Sequence, residues 1–346
     1  MSSSTADAAN YSSPSLNAGG ASDVIIVAHA DGTLRSTAWH VVFDRVEPNN
    51  FSIDRVAPSS TGAVALHLNG HRFEATIQLR ATAAMDPATF DSDGTTPPAA
   101  FLAELAASGL LKDGRNELKY SSGDACVRAF LYLWRASMPA VIFDVDGTVT
   151  LNDIAGQAAM LIDASPTHPG VCELVCELHS RGYALVYLTS RPLLGASGIE
   201  PTRRFLFEIA VDTPSGKRMP PAALITTTHQ NSLQALADEW SGKSKQFKTN
   251  ALKPLRAAFE PSAAAGGGLY AGFGNREKDA LAYMSAGVPP ERVFLLEPSS
   301  TVTGRAAVLG ESGRPQQPQW PSYAGLLASG AMDSLFPRCV EHVEVT

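Results

Sequence analysis

Apolar positions follow two contrasting patterns along the 346-residue chain, and the change comes at Pro139. Before it the pattern is that of strands. Val24-Ile25-Ile26-Val27 is a continuous apolar run, Asp31-Gly32 is a turn dipeptide, and Trp39 to Phe43 is a second run. Val64, Leu66 and Leu68 alternate with small or polar residues into Asn69-Gly70, and Phe73, Ala75, Ile77 and Leu79 alternate out of it. Period-two alternation puts every second side chain on one face. Asn-Gly between two such runs predicts a hairpin, because both central turn residues need positive φ. Residues 81–115 are rich in Ala, Pro, Gly and Asp and read as an insertion with one short helix over Ala99–Ala107. Strand patterning resumes over Glu117–Trp134. Short strands separated by turns predict an all-β, immunoglobulin-like sandwich over residues 23–135.

After Pro139 apolar runs alternate with helical stretches. The predicted strands are Ala140–Phe143, Ala184–Leu188, Ala222–Thr226, Leu269–Phe273 and Val293–Leu296. Val171, Leu174, Val175 and Leu178 fall at i, i+3, i+4 and i+7, one face of a helix that Gly182 stops. Apolar strands alternating with helices predict a Rossmann-like parallel sheet covered on both faces, here over residues 138–300. Residues 301–319 read as a Gly/Pro/Gln-rich linker, and 320–346 as a C-terminal segment. Residues 1–22, rich in Ser, Ala, Asn and Gly without apolar period, predict a disordered tail. The tail also lacks the basic and bulky apolar faces of a membrane-surface helix.

Composition narrows the class. Hydrophobic residues make up 45% and charged residues 18%, an ordinary globular balance. No apolar stretch approaches the roughly 18 residues of a membrane span. The first basic residue is Arg35, which predicts no signal or transit peptide. Four cysteines in a chain this long predict a reducing compartment, not a disulfide framework. A net charge of −7 argues against nucleic acid as a partner.

The candidate chemistry sits at one strand end. Ala140-Val141-Ile142-Phe143-Asp144-Val145-Asp146-Gly147-Thr148 is a buried strand closing on two carboxylates. Ligands of parallel α/β sheets bind at the carboxyl ends of strands. Two acids at i and i+2 repel each other unless a cation lies between them, and a hard divalent ion with oxygen ligands points to Mg²⁺. Asp91-Ser92-Asp93-Gly94-Thr95 repeats the same pattern with no strand before it, and Asp31-Gly32-Thr33 reads as a hairpin turn. Cys172, Cys176 and His179 share a helix face but lack a fourth zinc ligand, so they read as core-flanking residues. His67 and His71 flank the Asn-Gly turn as hairpin residues, and His168 lies in Thr167-His168-Pro169-Gly170.

Further polar groups follow at successive strand ends: Thr189-Ser190-Arg191, Lys248 at the start of a helical stretch, and Gly274-Asn275-Arg276-Glu277-Lys278-Asp279. Acid pair, hydroxyl, lysine and a final polar run in this order resemble the haloacid dehalogenase superfamily of phosphohydrolases. Within it, Asp144–Thr150, Thr189-Ser190-Arg191, Thr202-Arg203-Arg204-Phe205-Leu206, Phe247-Lys248 and Ala271-Gly272-Phe273-Gly274-Asn275-Arg276 with Asp279 resemble the catalytic region of the lipin family. Asp23-Val24-Ile25-Ile26-Val27, His40-Val41-Val42-Phe43 and Leu131-Tyr132-Leu133-Trp134 are similar to the lipin amino-terminal region. The long middle region and polybasic stretch of animal and fungal lipins have no counterpart, so the chain resembles a short, minimal form.

The resemblance implies a Mg²⁺-dependent phosphatidate phosphatase that releases diacylglycerol and phosphate in triacylglycerol and phospholipid synthesis. It implies Asp144 as nucleophile and Asp146 as general acid and base. Gly147, Thr148, Thr189 and Lys248 would bind phosphate. Asp144, the Asp146 carbonyl and Asn275 would hold Mg²⁺, and Asp279 would complete the metal shell or orient Lys248. Arg191, Arg203 and Arg276 become candidates for contacts with the phosphatidate head group. His168 matches a Thr-His-x-Gly of lipins and is expected beside the site. The C-terminal segment is expected to pack on the β domain. The expected setting is the cytoplasm, with transient visits to the endoplasmic reticulum surface, and the nucleus as a second compartment. Two rival readings are a non-catalytic phosphatidate-binding protein and a phosphatase of soluble phosphomonoesters.

Overall fold

The fold is built on two sheets that share a core. The computed structural model describes residues 19–43, 63–75, 78–80, 88–90, 94–122, 125–151, 167–194, 198–212, 215–226, 244–260, 267–306, 308–309 and 315–339. The first sheet draws on β2 (Val24–Ala28), β3 (Leu34–Ser36), β5 (Ala63–Leu68), β6 (His71–Phe73), β7 (Leu79–Arg80), β8 (Thr89–Phe90), β9 (Gly114–Ser122) and β10 (Ala125–Arg135). Its order is β3-β2-β10-β9-β5-β7-β8, with β6 also on β5. A small pair, β1 (Gly19–Ala21) with β4 (Val41–Phe43), packs over it. The Asn69-Gly70 hairpin forms as patterned, with φ of 51° and 84° joining β5 to β6. The predicted helix α1 (Ala99–Ala107) also forms, and Phe101 meets Trp39 edge-to-face at 5.4 Å in the core of this unit.

The second sheet has the order β13-β12-β11-β14-β15-β16-β19. Its parallel strands are β11 (Pro139–Asp144), β12 (Ala184–Thr189), β13 (Ala223–Thr226), β14 (Gly268–Gly274) and β15 (Val293–Leu296). Strand β11 is central, with β12 and β13 on one side and β14 and β15 on the other. The chain therefore reverses winding direction beside β11, the place where such sheets open a ligand crevice. Helices α2 (Val171–Ser180) and α3 (Ile199–Arg204) help cover one face. Helices α4 (Ser244–Phe259) and α5 (Glu277–Ser285) cover the other.

Alternation along the strands decides which core each side chain joins. Val141, Phe143 and Tyr187 face the core with α2, whereas Ala140, Ile142, Val186 and Leu188 face the core with α4 and α5. That second core also takes Ile25 and Val27 of β2 and Trp134 of β10. Strand β2 is thus buried on both faces, with Val24 and Ile26 turned into its own unit. This explains why its four apolar residues run without alternation. The two units are welded by apolar packing and are not beads on a linker.

The structure corrects three expectations. Residues 19–21 form β1, so the amino-terminal segment is ordered before Asp23; residues 1–18 lie outside the described residues. The stretch read as a linker carries β16 (Val302–Gly304), β17 (Val308–Leu309), β18 (Pro315–Gln316) and β19 (Gln319–Trp320). Strands β16 and β19 extend the parallel sheet in antiparallel fashion and cover the edge of β15. Beyond them, α6 (Tyr323–Ala328) and α7 (Met332–Leu335) place Tyr323, Leu326, Met332 and Phe336 in the core of the α/β unit. The C-terminal segment, as far as Cys339, therefore packs on the α/β unit and not on the β unit. No helix among the described residues is long and apolar enough to cross a membrane.

Candidate active site

The site is assembled at the carboxyl ends of β11, β12 and β14. Strand β11 is buried along its whole length and delivers Asp144, 4% exposed, to the sheet edge. The chain then turns sharply, with Val149 N–H and Thr150 N–H donating to Val145 O at 2.9 and 3.1 Å. Gly147 sits at φ +75°, and a Cβ there would lie 1.9 Å from Asn275 Nδ2. Only glycine lets this turn meet the polar run after β14.

Lys248 of α4 is 3% exposed and joins two carboxylates. Its Nζ lies 2.7 Å from Asp144 Oδ1 and 2.6 Å from Asp279 Oδ1. Asp279 is fully buried, and its Oδ2 accepts from Asn275 N–H and Arg276 N–H at 3.2 and 3.0 Å. A carboxylate near a helix N-terminus is stabilised by orphan amides and the helix dipole. Asp279 thus ties the start of α5 to Lys248; of its two expected roles, the structure shows the orienting one.

Asp146 is held on the other side. Arg191 Nη2 reaches Asp146 Oδ1 at 2.7 Å, and Arg191 Nε lies 3.1 Å from Oδ2. Thr189 Oγ1, at the end of β12, donates to Asp146 Oδ2 at 3.2 Å. Arg191 is itself nearly buried, and its Nη1 donates to Thr202 Oγ1 at 3.1 Å.

Electrostatics single out Asp144. Burial pushes its carboxyl up to about 7, Lys248 pulls it back, and Asp279 and Asp146 add to the rise. Lys248 is raised well above the usual lysine range: burial opposes its charge, but Asp144 and Asp279 outweigh it. A buried carboxylate this expensive to ionise is a typical functional group.

The donor set fits a hard cation. Three carboxylates (Asp144, Asp146, Asp279) face two cations (Lys248, Arg191), a formal excess of one negative charge in a nearly dry cluster. Burying net charge is costly, and a cation beside Asp144 and the amide of Asn275 would offset it. Among the described residues no three His, Cys, Asp or Glu side chains converge as a metal cluster.

Some of the other expected residues are placed differently, and some where they were expected. Gly147 N–H donates to Thr150 Oγ1 at 3.1 Å, so it serves the turn and is not a free donor. Thr148 is fully buried, its hydroxyl has no partner among the described residues, and its carbonyl accepts from Tyr323 O–H at 3.2 Å. Arg203, 3% exposed, pairs with Asp23 at 2.9 Å. That ion pair removes Arg203 from any lipid head group, contrary to expectation. The bidentate hold on Asp146 gives Arg191 another task as well. Arg276 is half-buried at the N-cap of α5. His168 borders the catalytic turn as expected: its N–H donates to Val149 O at 3.0 Å, its ring bonds the Gly147 backbone, its Nδ1 lies 2.9 Å from Ser300 Oγ, and burial pushes its pKa down. Cys172 is buried in the core, and Cys176 Sγ contacts Arg218 O. Asp31-Gly32-Thr33 forms the β2–β3 turn, with Thr33 N–H donating to Asp31 Oδ1, whereas Asp91 and Asp93 lie outside the described residues.

Sequence reasoning passed over Asp23 and Thr202 as functional residues. Both stood inside stretches that carried the resemblance, but as strand and helix text. Nothing in local pattern says that a polar residue at the start of a strand will meet an arginine 180 residues away.

Comparison with known proteins gives the family. Residues 102–312 match the family described as LNS2 (Lipin/Ned1/Smp2), and residues 3–85 match the lipin N-terminal conserved region. Phosphatidic acid phosphohydrolase 1 of Saccharomyces cerevisiae is 33% identical over 198 residues, covering 55% of this chain and 22% of that protein. Phosphatidate phosphatase PAH1 of Arabidopsis thaliana is 33% identical over 205 residues, 58% of this chain and 22% of its own length. Phosphatidate phosphatase LPIN2 of Mus musculus is 25% identical over 276 residues, 76% of this chain and 30% of its own length. The chain thus spans less than a third of the length of these relatives. With the LNS2 match running over more than half of its residues, the chain belongs to the lipin family.

Proposed function

We propose that this chain is a Mg²⁺-dependent phosphatidate phosphatase that works through an aspartyl-phosphate. The observation that carries the reading is the cluster at the end of β11: Asp144 joined to Lys248, with Asp146 oriented separately by Arg191 and Thr189. Two carboxylates two residues apart have been given different partners, which is what distinct nucleophile and acid roles require. The names of the relatives supply the substrate class.

In this reading the Asp144 carboxylate oxygen attacks phosphorus, and the bond from phosphorus to the diacylglycerol oxygen breaks. Asp146 gives the leaving oxygen its proton. It then takes a proton from the water that attacks the aspartyl-phosphate, releasing phosphate and restoring Asp144. Lys248 stands beside Asp144 and pairs with the transferred phosphoryl as a point charge, held there by Asp279. Thr189 offers its hydroxyl beside Asp146. Mg²⁺, held by Asp144, the Asp146 carbonyl and Asn275, would supply neutralisation of phosphate charge. The β unit, with its small β1–β4 sheet facing the larger one, supports an immunoglobulin-like sandwich of the lipin amino-terminal type. The enzyme would act as a peripheral visitor from the cytoplasm to the endoplasmic reticulum surface.

The test is turnover of phosphatidate in mixed micelles, with soluble phosphomonoesters in parallel. Mg²⁺-dependent release of phosphate from phosphatidate is expected. It should vanish on chelation and fall at least about a thousandfold in Asp144→Asn. Preference for soluble esters would replace phosphatidate as substrate, and binding without turnover would make the chain a lipid sensor.

A further inference from the structure

Ser22 and Asp23 belong to the β unit, yet they hold the walls of the active site. We propose that this segment is a positioning element for Asp146, acting through Arg191; the proposal rests on reading Asp146 as the general acid.

All three guanidinium nitrogens of Arg191 are committed. Nε and Nη2 hold the Asp146 carboxylate, and Nη1 donates to Thr202 Oγ1. A bidentate guanidinium fixes the plane of the carboxylate it holds. The orientation of Asp146 therefore follows the position of Thr202, on the short helix α3.

Helix α3 is anchored from outside the α/β unit. The residue after Thr202 is Arg203, whose Nη1 lies 2.9 Å from Asp23 Oδ2 and whose guanidinium lies 5.1 Å from the centre of the Phe130 ring. Asp23 is 1% exposed and spends its remaining capacity on backbone amides, accepting from Phe130 N–H of β10 and Leu224 N–H of β13, each at 2.9 Å. One carboxylate thus pins α3 to a strand of each sheet.

A second thread reaches the backbone of Arg191. Ser22 Oγ accepts from Thr226 N–H at 3.2 Å, and Thr226 Oγ1 donates to the carbonyl of Arg191. Gly20 lies so close to the same loop that a Cβ there would sit 2.4 Å from Leu193 O. Residues 20–23 therefore set both the main chain of the Arg191 loop and, through α3, its guanidinium. Lys248 and Asp279 are carried instead by α4 and α5. A disturbance of residues 20–23 should reach protonation of the leaving group and spare phosphate capture.

The experiment compares the full chain with Asp23→Asn, Thr202→Val and Thr202→Ser, using phosphatidate micelles and p-nitrophenyl phosphate, whose leaving group needs no proton. For Asp23→Asn and Thr202→Val, kcat on phosphatidate should fall about 10- to 100-fold with KM unchanged. On p-nitrophenyl phosphate the burst of p-nitrophenol, which reports formation of the aspartyl-phosphate before Asp146 acts as base, should slow less than about threefold, because general-acid help is lost only where it was needed. Thr202→Ser, which keeps the hydroxyl, should restore turnover. A p-nitrophenol burst slowed as much as phosphatidate turnover, or Thr202→Ser as poor as Thr202→Val, would overturn the proposal. If the unaltered chain turns over neither substrate, the functional reading fails separately. The clamp is then read from crystal structures of the unaltered chain and Thr202→Val. Loss of the bidentate Arg191–Asp146 contact in the variant supports it, and an unchanged contact overturns it.

Discussion

At the residue scale, what a side chain does here depends on which partners the fold assigns it. Asp144 and Asp146 are chemically identical, yet one is paired with a lysine and the other is gripped by an arginine and a threonine. His40 shows the same rule without function. Its Nδ1 is buried with no partner among the described residues, and burial pushes its pKa down to about 4 from 6.5. Because the folded pKa is below the unfolded one, the unfolded chain binds the proton more readily. The contribution is therefore neutral well above pH 6.5 and destabilising as pH falls below it. By pH 5 it amounts to about 2 kcal/mol. Denaturant unfolding of the chain and of His40→Gln at pH 7.5 and pH 5 checks this. The stability gap between the two proteins should shift toward the variant at pH 5 by about that amount.

At the element scale, short pieces of structure are held by single polar contacts across the two units. Helix α3 has six residues, too few to be stable alone, and it runs directly into a π-helical turn over Phe205–Ile209. Its position comes from the buried Asp23–Arg203 pair. Breaking a buried pair leaves one charge desolvated, so Arg203→Met should cost about 3–5 kcal/mol in unfolding free energy. An Arg204→Met control, at an exposed pair with Glu208, should cost less than about 1 kcal/mol. Equal costs in urea titrations would mean that the Asp23 contact is not what holds α3.

At the scale of the whole molecule, the chain closes on itself through its last described residues. Phe336 is fully buried and stacks among Phe273, Phe294 and Tyr183, with ring centres 6.1, 5.8 and 5.8 Å away. Arg181, at the end of α2, donates from Nη1 to Phe336 O at 2.7 Å and from its Nη1 pairs with Asp333. Tyr323 on α6 donates to Thr148 O inside the catalytic turn. The C-terminal segment is thus a wall of the α/β unit. Phe336→Ala should destabilise the protein by about 3–5 kcal/mol, measured by chemical unfolding, because it opens a cavity under Phe273. A cost near zero would place this segment outside the cooperative unit.

Much of the molecule was legible in the sequence where local physics decides. The strand before Asp144 needs only a run of apolar residues, the Asn69-Gly70 hairpin needs only positive φ, and the Val171–Leu178 face needs only the helical period. The order of polar groups after the strands, read through the family resemblance, gathered Asp144, Thr189, Asn275 and Asp279, because a parallel sheet brings its strand ends to one edge whatever the loops do, while Lys248 comes to them from helix α4. The tertiary structure alone decided the rest. It decided that Asp279 holds Lys248, that Arg203 faces Asp23 and not solvent, that Arg191 grips Asp146, and that residues 302–336 complete the α/β unit. Each of these is a contact between residues far apart in the chain. A charge or an apolar residue carries no local mark of the partner it will meet, since its partner is chosen by packing and desolvation after the sheets have formed.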